Sequence, residues 1–157
     1  MPDSPRMTHS RFRELVSGFL QQNSLVLAHE DPSEMLVSVG DIHVRLIASD
    51  GDDDGLLCIA EFLDEATRAE LTSPSALDIA FKLNYEAHRA EDFHFAIDPQ
   101  GQPVLLARFA LSTLDPDALT AIVTHALDSV ALHTLLTTTA HKRQGTSLDI
   151  PHYSLRA

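Results

Sequence analysis

The chain is poor in cysteine and glycine and has no tryptophan. Its single cysteine, Cys58, excludes an intramolecular disulfide and suits a reducing compartment. Six scattered glycines form no glycine-rich loop of the kind that binds phosphate. No apolar run approaches the ~20 residues of a membrane span, and the N-terminal stretch MPDSPRMTHS lacks the hydrophobic region of a signal peptide. We therefore expect a cytoplasmic protein.

Positive charge is also scarce. The 157 residues include 11 Lys and Arg against 23 Asp and Glu, for a formal net charge of −12. Such a surface repels phosphate backbones and anionic lipid, which makes nucleic acid and membranes poor partners and leaves basic or polar peptides compatible. The composition, 44% hydrophobic and 22% charged, is that of a soluble globular domain with one core.

Catalytic and metal-binding motifs are missing as well. The sequence has nine histidines but no HExxH, HxH or paired CxxC, and no GxSxG for a serine nucleophile. His125, His133 and His141 are spaced eight apart, which turns them off a common helix face, so we expect surface or half-buried side chains. Cys58 lies in an apolar run without an adjacent base. The sequence predicts neither an enzyme nor a cofactor.

The first half of the chain predicts one helix and a strand meander. Ser10 is a good N-cap for RFRELVSGFLQQ, whose apolar residues have helical spacing. Strand-like segments follow at 25–30, 35–39, 42–48 and 56–63, and the third alternates apolar and polar residues with a period of two.

The second half predicts helices around a second meander. Residues 64–92 are rich in helix formers, with Ser73 as N-cap and Pro74 at the first helical position. Strands are predicted at 92–98 and 104–111.

The last helix has the clearest start signal, because Asp115 caps it and Pro116 takes the first position. Its expected apolar stripe consists of Leu119, Ile122, Val123, Ala126, Leu127, Val130, Leu135 and Leu136. The prediction is an α+β fold in which helices pack on a twisted antiparallel sheet. It comprises a flexible N-terminus (1–9), one domain (10–141) and a flexible tail (142–157).

Residues 50–61, DGDDDGLLCIAE, fit the calcium loop of an EF-hand. The matching positions are Asp50, Asp52, Asp54, Gly55 and Glu61. An EF-hand loop needs a helix on each side, whereas 42–48 read as a strand. In a strand, Glu61 would lie about 20 Å along the chain from Gly55. An acidic turn is therefore favoured, with a calcium-binding regulatory module as the alternative.

Several segments together resemble one protein family. They are FRELVSGFL, VSVGDIHVRL, FKLNYEA and FHFAIDPQGQPVLLARFALSTLDPDALTAIVTHAL. Asn84 closes the middle helix, a hairpin of the form apolar–D–x–x–G–x–apolar–L runs from Ile97 to Leu105, and Leu114-Asp115 lead into the last helix. Over residues 10–140 this is similar to the class I type III secretion chaperones, which include the Tir-type chaperones. The loop at 50–55 and the tail depart from that pattern.

The resemblance implies an α-β-β-β-α-β-β-α order and a function without chemistry. Such chaperones are cytoplasmic homodimers that hold the N-terminal segment of a secreted effector extended, soluble and competent for secretion. A protein of the same fold with a non-secretory binding role is a further alternative.

Residues for effector binding and dimerisation follow from the sheet pattern and the resemblance. Leu36 and Ile47 place apolar side chains on the second face of their strands, so we expect them, with Phe12 and Val16 of the first helix, to bind effector; ordinary core is the competing interpretation. By family analogy the middle helix forms the dimer. The interface candidates are Leu77, Phe81 and Tyr85, with burial inside the monomer as the alternative.

Overall fold

The computed structural model describes residues 4–26, 31–49 and 54–144. The elements are α1 (Ser4–Gln22), β1 (Glu34–Val39), β2 (Ile42–Ala48), β3 (Gly55–Phe62), α2 (Glu65–Leu71), α3 (Pro74–Glu86), β4 (His94–Ile97), β5 (Pro103–Ala110) and α4 (Pro116–Gln144), with a 3₁₀ turn at Leu111–Thr113. The predicted α+β class is confirmed, and the middle helix is replaced by two, α2 and α3.

The five strands form one antiparallel sheet in the order β1-β2-β3-β5-β4. A two-residue turn at Gly40 and Asp41 joins β1 to β2, and Gly40 has a φ of 55°. Glycine adopts that left-handed conformation without the steric cost a side chain would add. The sheet therefore begins with a tight hairpin whose first strand lies at the edge.

One face of the sheet carries the hydrophobic core. The strands direct Met35, Val44, Leu46, Ala48, Leu56, Cys58, Ala60, Phe62, Leu105 and Ala107 onto this face, and all are buried. The buried side chains of all four helices, among them Phe12, Leu71, Ala80 and Leu119, belong to the same cluster. All four helices therefore cover the same side of the sheet.

Side-chain caps define where three of the helices, α2, α3 and α4, begin. Asp64 accepts a hydrogen bond from Thr67 N at 2.7 Å, and Asp115 accepts one from Ala118 N at 2.7 Å. Ser73 Oγ lies 3.4 Å from Ala76 N. The predicted caps at Ser73 and Asp115 are confirmed.

Two predicted boundaries near the N-terminus are wrong. The first helix begins at Ser4 and not at Ser10, because Pro5 is compatible with a first helical turn and does not block it. In the predicted strand at 25–30, Leu25 and Val26 are not in a strand and are exposed. Residues 27–30 lie outside the described part of the chain.

Helix α4 is the main core helix. It buries Leu119, Ile122, Val123, Ala126 and Val130 against the other elements. By length and composition alone, Pro116–Thr137 would suffice to cross a membrane. This differs from the expectation that no apolar stretch of the sequence is long enough to do so. Its buried stripe packs within the core of this fold.

Beyond Val130 the buried stripe differs from the prediction. Leu135 is 64% exposed, whereas His133 and Thr137 are buried. The expectation of surface or half-buried histidines is therefore wrong for His133. Its Nδ1 lies 2.9 Å from Ser129 O, its ring stacks on Phe95, and its buried Nε2 has no hydrogen-bond partner among the described residues.

We expect His133 to make the fold sensitive to mild acid. Burial lowers the pKa of His133 below its ordinary value of 6.5. Below pH 6.5 the unfolded chain takes up a proton that the folded protein refuses, so the free energy of unfolding falls as the pH falls. The limit is about 1.4 kcal/mol per pH unit. His133→Leu should flatten this dependence in urea titrations between pH 7 and 5, and His88→Leu, at an exposed site, should not. Parallel curves for wild type and His133→Leu would refute the assignment.

Gly18 lies where α1 closely approaches the start of α4. A Cβ at this position would lie 2.6 Å from Cγ of Pro116. Gly18→Ala would ordinarily gain about 1 kcal/mol of helix propensity, but overpacking costs about 1–3 kcal/mol. We expect a net loss of about 0–2 kcal/mol in urea unfolding. In a Pro116→Ala background the same substitution should become stabilising. Equal effects in both backgrounds would show that this contact is unimportant.

Candidate functional site

Within residues 4–26, 31–49 and 54–144, the four helices leave most of the second face of the sheet uncovered. The name open face is used for its side chains Glu34, Leu36, Arg45, Ile47, Leu57, Ile59, Glu61, Leu106 and Arg108. None of these nine side chains is buried, whereas most of the alternate residues on the same strands are. Val104, which pairs with Glu61 on this face, is the exception at 5% exposed. The core residues that the four helices contribute lie on the opposite side of the sheet, so no described helix occupies this face.

The strand register arranges the open face in rows. Leu36, Arg45, Ile59 and Leu106 are successive cross-strand partners in one row. Glu34, Ile47, Leu57 and Arg108 form the next row. Directly opposed side chains have Cβ atoms about 4.5–5.5 Å apart. The aliphatic residues of the two rows therefore adjoin one another across four strands.

Arg45 at the centre of the open face is neutralised by two carboxylates. Its Nε lies 3.2 Å from Glu34 Oε1, and an Nη lies 3.3 Å from Glu61 Oε1. The Nε contact has the distance of an ion pair but not the direction of a hydrogen bond, so we regard it as coulombic only. Partly exposed pairs of this kind contribute about 0–1 kcal/mol. The main effect of these two ion pairs is to engage the charge of Arg45 within the protein. The aliphatic side chains around Arg45 are then the dominant contact surface of the open face.

The outer edge of β1 is available for strand pairing. The tight turn pairs Val39 with Ile42, and Ala48 N donates to Ser33 O at 2.8 Å. Antiparallel hydrogen bonding alternates, so the odd-numbered residues of β1 bond to β2. The N–H and C=O groups of Glu34, Leu36 and Ser38 consequently point outward from the sheet.

At the opposite edge of the sheet, a side chain pairs with one residue of β4. Asn84 Nδ2 donates to Phe95 O at 2.8 Å, and Phe95 N donates to Asn84 Oδ1 at 2.7 Å. The amide thus satisfies the outward-facing backbone groups of Phe95 as a neighbouring strand would. Among the described residues, the outward-facing groups of β1 have no such partner.

The four predicted effector-binding residues lie on opposite sides of the sheet. Phe12 and Val16 are only 1% and 6% exposed, so they are core residues, and they also line a hollow of about 400 Å³ between α1 and Asp31. Leu36 is 44% exposed and Ile47 is half-buried, both on the open face. The structure therefore directs the effector-binding hypothesis to Leu36 and Ile47.

The three dimer candidates also differ in exposure. Leu77 is partly buried against the core, whereas Phe81 is 62% and Tyr85 85% exposed, one turn apart on α3. On α4, which packs against α3, Leu132 and Leu135 are exposed as well. Leu135 was predicted as part of the buried stripe because of its apolar character, and no role was predicted for Leu132.

The residues of the calcium alternative are engaged elsewhere where they are described. Asp50 and Asp52 lie outside the described residues. Asp54 accepts hydrogen bonds from N and Oγ of Ser112. Glu61 lies on β3, which is a strand as expected, and forms an ion pair with Arg45 of β2. Within the described ranges no three His, Cys, Asp or Glu side chains are grouped to hold a metal. Burial raises the pKa of Cys58 to about 12, so this thiol is unreactive.

Known proteins match the chain in structure but not in sequence. No protein-family model and no curated protein matches it. The ExsC–ExsE complex matches with a TM-score of 0.64 at 18% identity, covering 87% of this chain and 97% of the other. The Yersinia pestis type III secretion chaperone SycH, solved with a fragment of YscM2, matches with a TM-score of 0.58 at 16% identity. The match covers 75% of this chain and 95% of SycH. The Pseudomonas aeruginosa ExoT–SpcS complex matches with a TM-score of 0.55 at 15% identity, covering 77% of this chain and 95% of the other.

The chain has the class I type III secretion chaperone fold. The resemblance drawn from the sequence is confirmed at this level, because identities of 15–18% with solved structures establish the fold and no more.

Proposed function

We propose that this protein is a type III secretion chaperone that binds the N-terminal segment of a secreted effector and keeps it soluble and secretion-competent. One observation carries the proposal: among the described residues, a largely aliphatic sheet face without covering helices lies beside a strand edge whose outward backbone groups have no partner. The protein acts as a cytoplasmic binding protein and not as an enzyme. The chaperone–effector complexes of the same fold support this assignment.

Strand addition at β1 explains how an extended segment is held without a fixed sequence. The outward N–H and C=O groups of Glu34, Leu36 and Ser38 bind any polypeptide backbone. Alternate side chains of the added strand then contact the open face, where Leu36 and Ile47 supply apolar area. Each buried Å² of such area is worth about 25 cal/mol before the cost of ordering the segment.

A homodimer completes the proposed chaperone. Phe81 and Tyr85 expose two aromatic rings on one side of α3, and burial of such rings dominates the energetics of many interfaces. A two-fold axis beside α3 would bury both rings of each subunit in one isologous contact. The dimer would then carry two open faces for one or two effector segments.

Co-expression with the product of the neighbouring gene tests the proposed function. We expect a stable complex in which the N-terminal segment of that product is soluble only with the chaperone and stays extended along it, as strand addition requires. A product that is soluble alone and does not bind would contradict the proposal. A bound product that is never secreted would instead support a non-secretory role for the same surface.

A further inference from the structure

The open face ends in a small apolar hollow beside an arginine. We propose, on the basis of the proposed function, that this hollow takes one aliphatic side chain of the client segment while Arg108 binds a carboxylate two residues away on the same segment. The client chemistry is thus an extended peptide of the form aliphatic–x–acidic, in either chain direction.

The hollow lies between β3, β5 and the loop before β4. It has a volume of about 280 Å³ and is lined by Leu57, Ala90, His94, Leu106, Ala107 and Arg108. Small-molecule sites have about 300–1,000 Å³, so this hollow is better matched to a single side chain. Four of its lining residues, Leu57, Ala90, Leu106 and Ala107, are aliphatic, which favours an apolar group as the buried one. An aliphatic side chain is therefore the occupant that its size and lining favour.

Arg108 provides a charge that the protein does not use. Arg45, the other arginine of the open face, is held by two carboxylates, whereas no ion pair is found for Arg108 among the described residues. The nearby Asp92 is engaged, because its carboxylate accepts hydrogen bonds from the backbone N–H groups of His88 and Arg89. An exposed, unpaired guanidinium on a protein of net charge −12 is complementary to a carboxylate of the partner.

The spacing follows from strand geometry. Leu57 and Arg108 are direct cross-strand partners, so the hollow and the guanidinium adjoin on one face. In an extended client, side chains on one face recur at every second residue, about 6.6 Å apart. An aliphatic residue in the hollow therefore places the residue two positions away, and not its direct neighbour, within reach of Arg108.

A displayed library of random 15-residue peptides tests this inference. We expect peptides selected on the wild-type protein to be enriched at least threefold over the library in Asp or Glu two positions from Leu, Ile, Met or Val. Selection on Arg108→Glu should replace the acidic residue with Lys or Arg. The control Arg89→Glu makes the same charge change on the neighbouring loop outside the hollow and should keep the wild-type pattern. Ala90→Leu, which fills the hollow, should abolish the aliphatic preference.

The outcomes separate this inference from the proposed function. Enrichment of peptides without the acidic residue, or an unchanged pattern on Arg108→Glu, overturns the inference and leaves peptide binding intact. If the wild-type protein selects no peptide over bare support, the proposed function fails and the inference with it. General attraction of an acidic protein for basic peptides acts against the expected acidic enrichment, so such enrichment is specific to this site.

Discussion

Phe81→Asp is expected to convert the proposed homodimer into a monomer and to raise its dissociation constant at least about 100-fold, the effect of losing a central aromatic and burying a charge. Phe81 is 62% exposed in the single chain, so the substitution leaves the core of the monomer intact. Analytical ultracentrifugation across a concentration series measures the change, and circular dichroism should show unchanged helix content.

A charge-matched control lies on the same helix. Lys82→Gln also lowers the net charge by one and removes only an exposed pair with Asp78, which contributes about 0.3–0.5 kcal/mol. It should leave the dimer unchanged. A wild-type protein that sediments as a monomer at high micromolar concentration, or a Phe81→Asp variant that stays dimeric, would contradict the role of α3.

The double variant Leu36→Glu with Ile47→Lys is expected to weaken binding of the effector segment about 100-fold or more, because two apolar contacts are lost and two charges are desolvated. Net charge stays the same. Each new charge lies across from an opposite one, since Leu36 pairs with Arg45 and Ile47 pairs with Glu34, so the sheet should tolerate both. Isothermal titration with the purified segment measures the loss.

The matched control for the double variant is Thr124→Glu with Ala131→Lys. Both positions are exposed on α4, away from the open face, and net charge is again unchanged. Affinity within twofold of wild type is expected. If the control and the open-face variant weaken binding equally, the loss reflects general stability or charge, and the open face is not the binding surface.

Local chemistry made much of the fold predictable. Capping by Ser73 and Asp115 depends on neighbouring residues alone, and the alternation in β2 directly reports its two faces. The stripe on α4 was predictable up to Val130. Thereafter the buried positions keep the spacing of three and four residues to His133 and Thr137, whereas Leu135 is out of phase. The apolar character of Leu135 suggested burial, but its position around the helix turns it to the surface, so the prediction failed there.

The candidate site was only half predictable for a different reason. The alternation of β1 and β2 shows that Leu36 and Ile47 share a face, but it does not say which face the helices cover. For Phe12 and Val16, a helical stripe is compatible with core and with a binding groove, and the structure places both residues in the core. Burial depends on packing between distant segments, which a single sequence does not specify.

Amide hydrogen exchange of the protein with and without its effector segment tests the central claim most directly. The amide exchange rates of Glu34, Leu36 and Ser38 should fall at least about tenfold on binding, because these outward N–H groups gain a partner strand. Phe95, whose N–H is already bonded to Asn84, should change little. Protection confined to the helices, with the amides of β1 exchanging as fast as in the free protein, would contradict it.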